Sequence, residues 1–244
     1  MSHDAFDDTP LPPIPGLIAV VGCDGTGKST LTHDLARILG QHVPTVRRYL
    51  GLISGESGAK IKDLPLIGPR LEKRLAAKAA HAQDMKNKAP GMWGALIMYG
   101  LSIWREAHLR KVCRLAESGT LVITDRFPQA EVSGFRYDGP GLGLERSNSW
   151  VVRKLAQREQ RLYKHMARYR PILVIKLDID LATAYARKPD HSRSELSDKI
   201  AVMARLQYNG SPTFGLDTRA PYPDVLAQAL RAVTAVVPSL PSTL

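Results

Sequence analysis

Disulfide chemistry has little to work with in this chain: only two cysteines, Cys23 and Cys113, occur among 244 residues. Two free thiols in a reducing compartment are expected, not a cross-linked framework. Long apolar runs are missing too. The longest stretch without a charged residue, Ala89 to Trp104, has 16 residues and includes Pro90 and three glycines. A membrane span needs about 20 predominantly apolar residues. The first 15 residues are acidic and proline-rich and lack the basic start and apolar core of a secretion signal. Seven histidines (His33, His108, His165 and His191 among them) show no metal-ligand spacing. There is no internal repeat. A soluble, cytoplasmic protein is expected. With 44% apolar and 23% charged residues, the composition excludes a disordered or fibrous chain.

What the chain has in excess is positive charge: 34 Lys and Arg against 23 Asp and Glu, for a net +11. An anionic ligand follows, without its identity. Ten of the cations lie between Thr45 and Ala89, against four carboxylates. Within that segment Arg70 to Lys86 reads as a helix with Leu71 and Leu75 on one face. The basic 47–88 segment has three readings: a solvated face, a contact with an anionic membrane or polyanion, and a contact with a highly charged acceptor. Tyr49 is its one aromatic, which argues against a stacking platform for single strands.

Strands and helices alternate. Gly16 to Val21 is an unbroken apolar run, as expected of a strand covered on both faces. Lys28 to Leu39 follows with Leu31, Leu35, Ile38 and Leu39 at helical spacing, closed by Gly40 as a C-terminal cap. Further strands are read at Leu121–Ile123, ending at Asp125, and at Ile172–Ile175, ending near Asp178. Helices are read over Ser149–Met166, Leu181–Arg187, Glu195–Leu206 and Asp224–Val237. The pattern is α/β, a three-layer sandwich with a parallel sheet flanked by helices. Residues 1–15 read as a mobile tail, and 16–244 as one domain with a basic insertion near 50–90 and a lid near 187–195. Trp93, Tyr99 and Trp104 stand at helical spacing and read first as core, second as the wall of an acceptor site.

The strongest motif is Gly22-Cys23-Asp24-Gly25-Thr26-Gly27-Lys28-Ser29-Thr30, which fits G-x-x-x-x-G-K-[ST] between a strand and a helix. Glycines let backbone N–H groups wrap a phosphate, and the helix start adds a favourable dipole. Lys28 is placed to bridge the β- and γ-phosphates of ATP, and Ser29 to bind Mg²⁺. Asp125, at a strand end, is placed to hold the metal shell or to orient the acceptor. Cys23 is assigned no chemistry.

Thr124-Asp125-Arg126-Phe127 in a P-loop chain resembles the thymidylate kinase family of nucleoside monophosphate kinases, and Asp24 inside the loop fits that family's G-x-D-G-x-G-K-S-T. The resemblance, from about Pro15 to Val237, implies a P-loop nucleotide kinase fold, use of ATP and Mg²⁺, and phosphorylation of a nucleoside monophosphate as the small-molecule acceptor. It implies an acceptor side made by Asp24, Arg48, Tyr49, Arg105 and Arg126, with Arg48-Tyr49 following the second strand. It implies lid cations Arg187, Lys188 and Arg193 over the transferred group, and an adenine loop at Asp217 to Pro221 that includes Arg219. A homodimer is also implied. Glu195 is read as bracing its own helix. Arg47-Arg48-Tyr49-Leu50-Gly51 stands where many members carry Arg-Glu-Pro-Gly, and Leu101 stands where an aromatic stacks on thymine. Pro128, Gln129, Ala130 and Glu131 stand where small and amide residues lie near the base. A non-nucleotide acceptor on the same fold, or a basic membrane- or nucleic-acid-associated P-loop ATPase, stays open beside the kinase.

Overall fold

The computed structural model describes residues 11–52, 91–144 and 149–241. Among these residues five strands form one sheet: β1 (Pro13–Gly22), β2 (Thr45–Tyr49), β3 (Leu121–Asp125), β4 (Arg170–Asp178) and β5 (Thr213–Asp217). Their order is β2-β3-β1-β4-β5, and every pairing is parallel. The crossovers are α1 (Lys28–Leu39), α2 (Met92–Glu117), α3 (Trp150–Ala167), α4 (Leu181–Arg187) and α5 (Arg193–Arg205), and α6 (Tyr222–Thr234) follows the last strand.

The alternation of side chains along each strand sorts the core into two layers. Leu17, Ala19, Val21, Val122 and Val174 face α2 and α3. Ile18, Val20, Ile123, Ile175 and Leu216 face α1 and α6. Both faces of β1 are therefore buried, which is why its sequence has no polar alternation. The expected three-layer α/β sandwich is present.

The structure differs from the sequence reading in several places. Residues 13–15, assigned to the tail, begin β1: Pro13 pairs with Arg170, and the Leu11 amide donates to the Arg168 carbonyl. Gly16 is a mid-strand irregularity with φ +74°, not the strand's start. Gly40 ends α1 in right-handed conformation, φ −64°, without the left-handed turn expected of a glycine cap. β5 was not read at all, because Leu216 is its one buried residue. The tail's first ten residues and the insertion from 53 to 90, with the helix read over Arg70 to Lys86, lie outside the described residues.

At the carboxyl edge, β3 and β4 flank β1. Val20 pairs with Asp125, Tyr49 with Asp125, and Gly22 with Leu177. That register sets the glycine loop, Asp125 and Tyr49 side by side where chain order reverses around β1, the place where open parallel sheets bind ligands.

Candidate functional site

The loop between β1 and α1 is shaped by its glycines. Gly22 has φ +155°, and a Cβ there would lie 2.8 Å from the Leu177 carbonyl oxygen. Gly27, at φ +82°, caps α1 with no side-chain hydrogen bond and no carboxylate in the first turn. The first amides of a 12-residue helix are thus offered to an anion. Thr26 braces the loop by donating its hydroxyl to the Cys23 carbonyl at 2.8 Å. Lys28 also donates to that carbonyl, at 2.6 Å. Burial, with Arg126 adding repulsion, brings its pKa down to about 8. Ser29 and Thr30 follow on the exposed side of α1.

Ser29 donates its hydroxyl to an Asp125 carboxylate oxygen at 2.7 Å. The same oxygen accepts from Arg47 at 3.0 Å, and Arg47 Nε donates to the Thr32 hydroxyl. Ser29 and Asp125 therefore meet, as expected, and are oxygen donors of the kind a Mg²⁺ ion takes when phosphates and water complete its shell.

On the other side of the loop a chain of alternating charges links five residues. Lys199 of α5 donates to one Asp24 oxygen at 2.7 Å, and Arg126 to the other at 3.3 Å. Arg126 also reaches Asp138 at 3.5 Å, and Arg105 of α2 binds Asp138 at 2.8 Å. Burial works to raise the Asp24 pKa, but Lys199, Lys28 and Arg126 hold the carboxyl far below the usual range. Burial likewise works against the Arg126 charge, and Asp138, Tyr49 and Asp24 restore it. Arg126 has φ +71° and Asp138 φ +63°. Two non-glycine residues in the left-handed region mark backbone held there by its surroundings.

The predicted acceptor residues separate. Asp24 and Arg126 are together. Tyr49 joins them: a Cβ at Gly51 would collide with the Tyr49 hydroxyl and lie 2.7 Å from Arg126 Cδ. Arg48 does not join them. It lies within β2 rather than after it, is exposed, and donates back to the Arg47 carbonyl. Strand alternation sends Arg47 to the site instead. Arg105 is fully buried; besides Asp138 it donates to the Tyr163 hydroxyl, so its link to the acceptor side runs through Asp138.

On the lid side, Arg187 bridges the Gly25 and Thr218 carbonyls, at 3.2 and 2.9 Å. Lys188 ends α4, its γ-carbon 3.5 Å from where a Gly25 Cβ would stand. Arg193 is exposed in the first turn of α5, 5.0 Å over the Tyr185 ring. The α5 cation that meets the P-loop is Lys199. Ser192 caps α5 by accepting from the Glu195 amide, so the cap is Ser192. Arg219 forks onto Asp217 in the β5–α6 turn, next to Thr218, and this pairing draws the Asp217 pKa down to about 2.

The sequence reading missed Arg47, Asp138 and Lys199. Their signal is weak, because none belongs to a short motif; they meet Asp24, Asp125 and Arg126 only through the fold. Gln129 belongs to the stretch that departs from the family's residues near the base. The Gln129 side chain is used within its own loop, accepting from the Glu131 and Val132 amides and donating to the Val132 and Tyr137 carbonyls. The tryptophans correct the first reading of that stretch. Trp93 is 75% exposed and Trp104 48%, on the face of α2 away from the core, while Tyr99 packs partly against it.

No family model matches the chain. Curated relatives do. The chain is 62% identical over 223 residues to the uncharacterized ATP-binding protein YghR of Escherichia coli strain K12, covering 91% of this chain and 88% of the relative. The same figures hold for YghR of Escherichia coli O6:H1 strain CFT073. To the uncharacterized ATP-binding protein YghS of strain K12 it is 46% identical over 221 residues, covering 91% of this chain and 93% of the relative. At such identity across nearly the whole length of both partners, the chain belongs to the family of YghR and YghS.

Proposed function

We propose that this protein binds ATP with Mg²⁺ and is a phosphotransferase similar to thymidylate kinase, moving the ATP γ-phosphoryl group to a nucleoside monophosphate of the dTMP kind. The names of YghR and YghS support the ATP half. The observation that carries the acceptor half is Arg126, held at φ +71° directly after Asp125 with its guanidinium against Asp24 of the P-loop. A cation there suits an acceptor phosphate, which must approach the γ-phosphate against charge repulsion.

The residues take roles from their places. Amides of the Gly22–Thr30 loop wrap the ATP phosphates, and Lys28 swings from the Cys23 carbonyl to them. Ser29 and Asp125 would hold the metal, which would supply charge neutralisation at the phosphate oxygens. Arg187 and Lys188 stand beside the transferred group, and Arg193 can join them only by leaving Tyr185. Arg219 flanks the adenine side. An acceptor phosphate oxygen attacks the γ-phosphorus, the bond to the β–γ bridging oxygen breaks, and ADP leaves. No general base is needed, because the attacking oxygen is already an anion.

A second reading keeps the fold and the ATP half with another acceptor: a nucleoside, a sugar phosphate or a glycan precursor. Two observations favour it. Asp138 occupies Arg105, and Trp93 and Trp104 lie exposed on the side of α2 away from the core. The third reading is an ATPase associated with membrane or nucleic acid, stimulated by its polyanion. We likewise propose cytoplasmic placement, a homodimer and polyanion contact through the 47–88 segment.

The test is ADP release from Mg-ATP with dTMP, the other nucleoside monophosphates, nucleosides and sugar phosphates. Turnover with dTMP or another monophosphate supports the first reading. Turnover with nucleosides or sugar phosphates alone replaces it with the second. Release stimulated by DNA, RNA or vesicles alone replaces it with the ATPase.

A further inference from the structure

Helix α2 is apolar on both sides for its first half. Ala95, Met98 and Ser102 face the core, while Trp93, Leu96, Ile97, Ile103 and Trp104 project from the opposite side. A helix that is apolar all round belongs in a core or against an apolar phase. An aromatic-rich stripe of this size on a surface marks an interaction site.

The neighbouring helix supplies charge. Ser102 bonds Glu159, Arg105 bonds Tyr163, and Glu106 meets His165. These contacts advance together along both helices, so α2 and α3 run parallel, and Trp93 stands level with Trp150, which is 73% exposed. On α3, Lys154, Arg158 and Arg161 follow at i, i+4 and i+7, all exposed. The same line continues to His165, whose ring meets Glu106 of α2, so this row lies on the shoulder of α3 beside α2. Lys111 and Arg114 extend the exposed side of α2. Of the three carboxylates on the two helices, Glu106 and Glu159 are buried, leaving Glu117 at the far end.

We propose that the exposed face of α2 and α3 docks on an anionic lipid bilayer. Tryptophan and isoleucine side chains would enter the headgroup boundary, and the α3 cations would meet lipid phosphates. A polyanion such as RNA answers the cations but leaves Leu96, Ile97 and Ile103 in water. A second copy of this chain would cover the apolar stripe but leave the α3 cation row at the rim without opposite charge, since the two helices expose only Glu117 as a carboxylate. A bilayer carrying phosphatidylglycerol answers both halves of the face.

The experiment is co-sedimentation of the full chain with phosphatidylcholine vesicles and with vesicles containing phosphatidylglycerol. Two multiple variants accompany the wild type: Trp93→Ser with Trp104→Ser, and Lys154→Glu with Arg158→Glu and Arg161→Glu. Retained ATP-analogue binding and an unchanged far-ultraviolet dichroism spectrum show that the exposed substitutions leave the fold intact. The expected result is pelleting with phosphatidylglycerol vesicles only, a blue shift of tryptophan emission, and a loss of roughly tenfold or more in partition for each variant. Wild-type protein left in the supernatant overturns the proposal. So does pelleting that both variants retain, which moves the contact to another basic surface. A stable dimer that Trp93→Ser with Trp104→Ser converts to monomer, or RNA binding lost with the charge variant while vesicles are ignored, also overturns it.

Discussion

Lys199 Nζ lies 2.7 Å from an Asp24 carboxylate oxygen, joining the helix beyond the lid to the middle of the phosphate loop. The pair is mostly buried, with side-chain exposures of 8% and 21%. Asp24 keeps Arg126 when Lys199 is removed. Lys199→Met should therefore destabilise by about 3 kcal/mol, the low end for breaking a buried pair. Lys199→Arg should recover part of this. Urea unfolding checks it, and an unchanged midpoint for Lys199→Met would show that the pair contributes nothing.

Arg126→Ala should abolish acceptor phosphorylation while ATP binding survives. The guanidinium faces Asp24 and Asp138, whereas the loop amides that would bind ATP belong to residues 22–30. Calorimetric ATP binding and an acceptor assay on the same folded preparation decide it. Equal loss of both would contradict the role given to Arg126.

Arg105 is expected to act through Asp138. Arg105→Met removes the 2.8 Å ion pair and leaves a buried carboxylate with only the more distant Arg126, at a cost of about 3–5 kcal/mol. Arg105→Met combined with Asp138→Asn should cost less than the sum of the two single changes. Additive costs in that double-mutant cycle would show that the residues are not coupled.

The Lys28 ammonium has its pKa lowered to about 8, burial being the largest cause. Between that value and its unfolded value near 10.5, the unfolded chain binds more protons than the folded one. The strain of burying this charge is therefore full below pH 8 and is relieved as pH rises through the window. Bound phosphates favour the ammonium. ATP binding at pH 8.5 should take up protons, seen as a calorimetric enthalpy that varies with the ionisation heat of the buffer. An enthalpy independent of buffer would place the Lys28 pKa elsewhere.

The layer architecture was open to a sequence reading wherever burial is two-sided. β1 and β3 have uninterrupted apolar runs because helices cover both faces, and α1 was legible to the residue because Gly27 starts it and its apolar spacing is regular. β5 was silent, since an edge strand with one buried residue has no pattern. The P-loop and Asp125-Arg126 were legible because phosphate chemistry demands fixed spacing. Arg47, Asp138 and Lys199 were not, since each depends on register or on distant packing. Arg105 was noticed for its spacing from Arg126, but only the fold reveals that Asp138 stands between them. The tryptophans misled for a simpler reason: periodicity shows that residues share a face, not which face is covered.

Glu131 accepts from the Gln207 amide at 2.8 Å and the Asn209 amide at 3.1 Å. Helix α5 is thereby fastened at two points, to the phosphate loop by Lys199 and, just past its end, to the loop after β3 by Glu131. It behaves as a strut, and a strut passes displacement on instead of absorbing it. Flexing on the lid side is then expected in residues 188–192, between α4 and α5. The two halves of the site, the phosphate cradle and the loop carrying Asp138, should then move as one piece, and the Asp190 and Ser192 amides, on either side of the hydrogen-bonded His191 amide, should exchange hydrogen faster than those of 199–205.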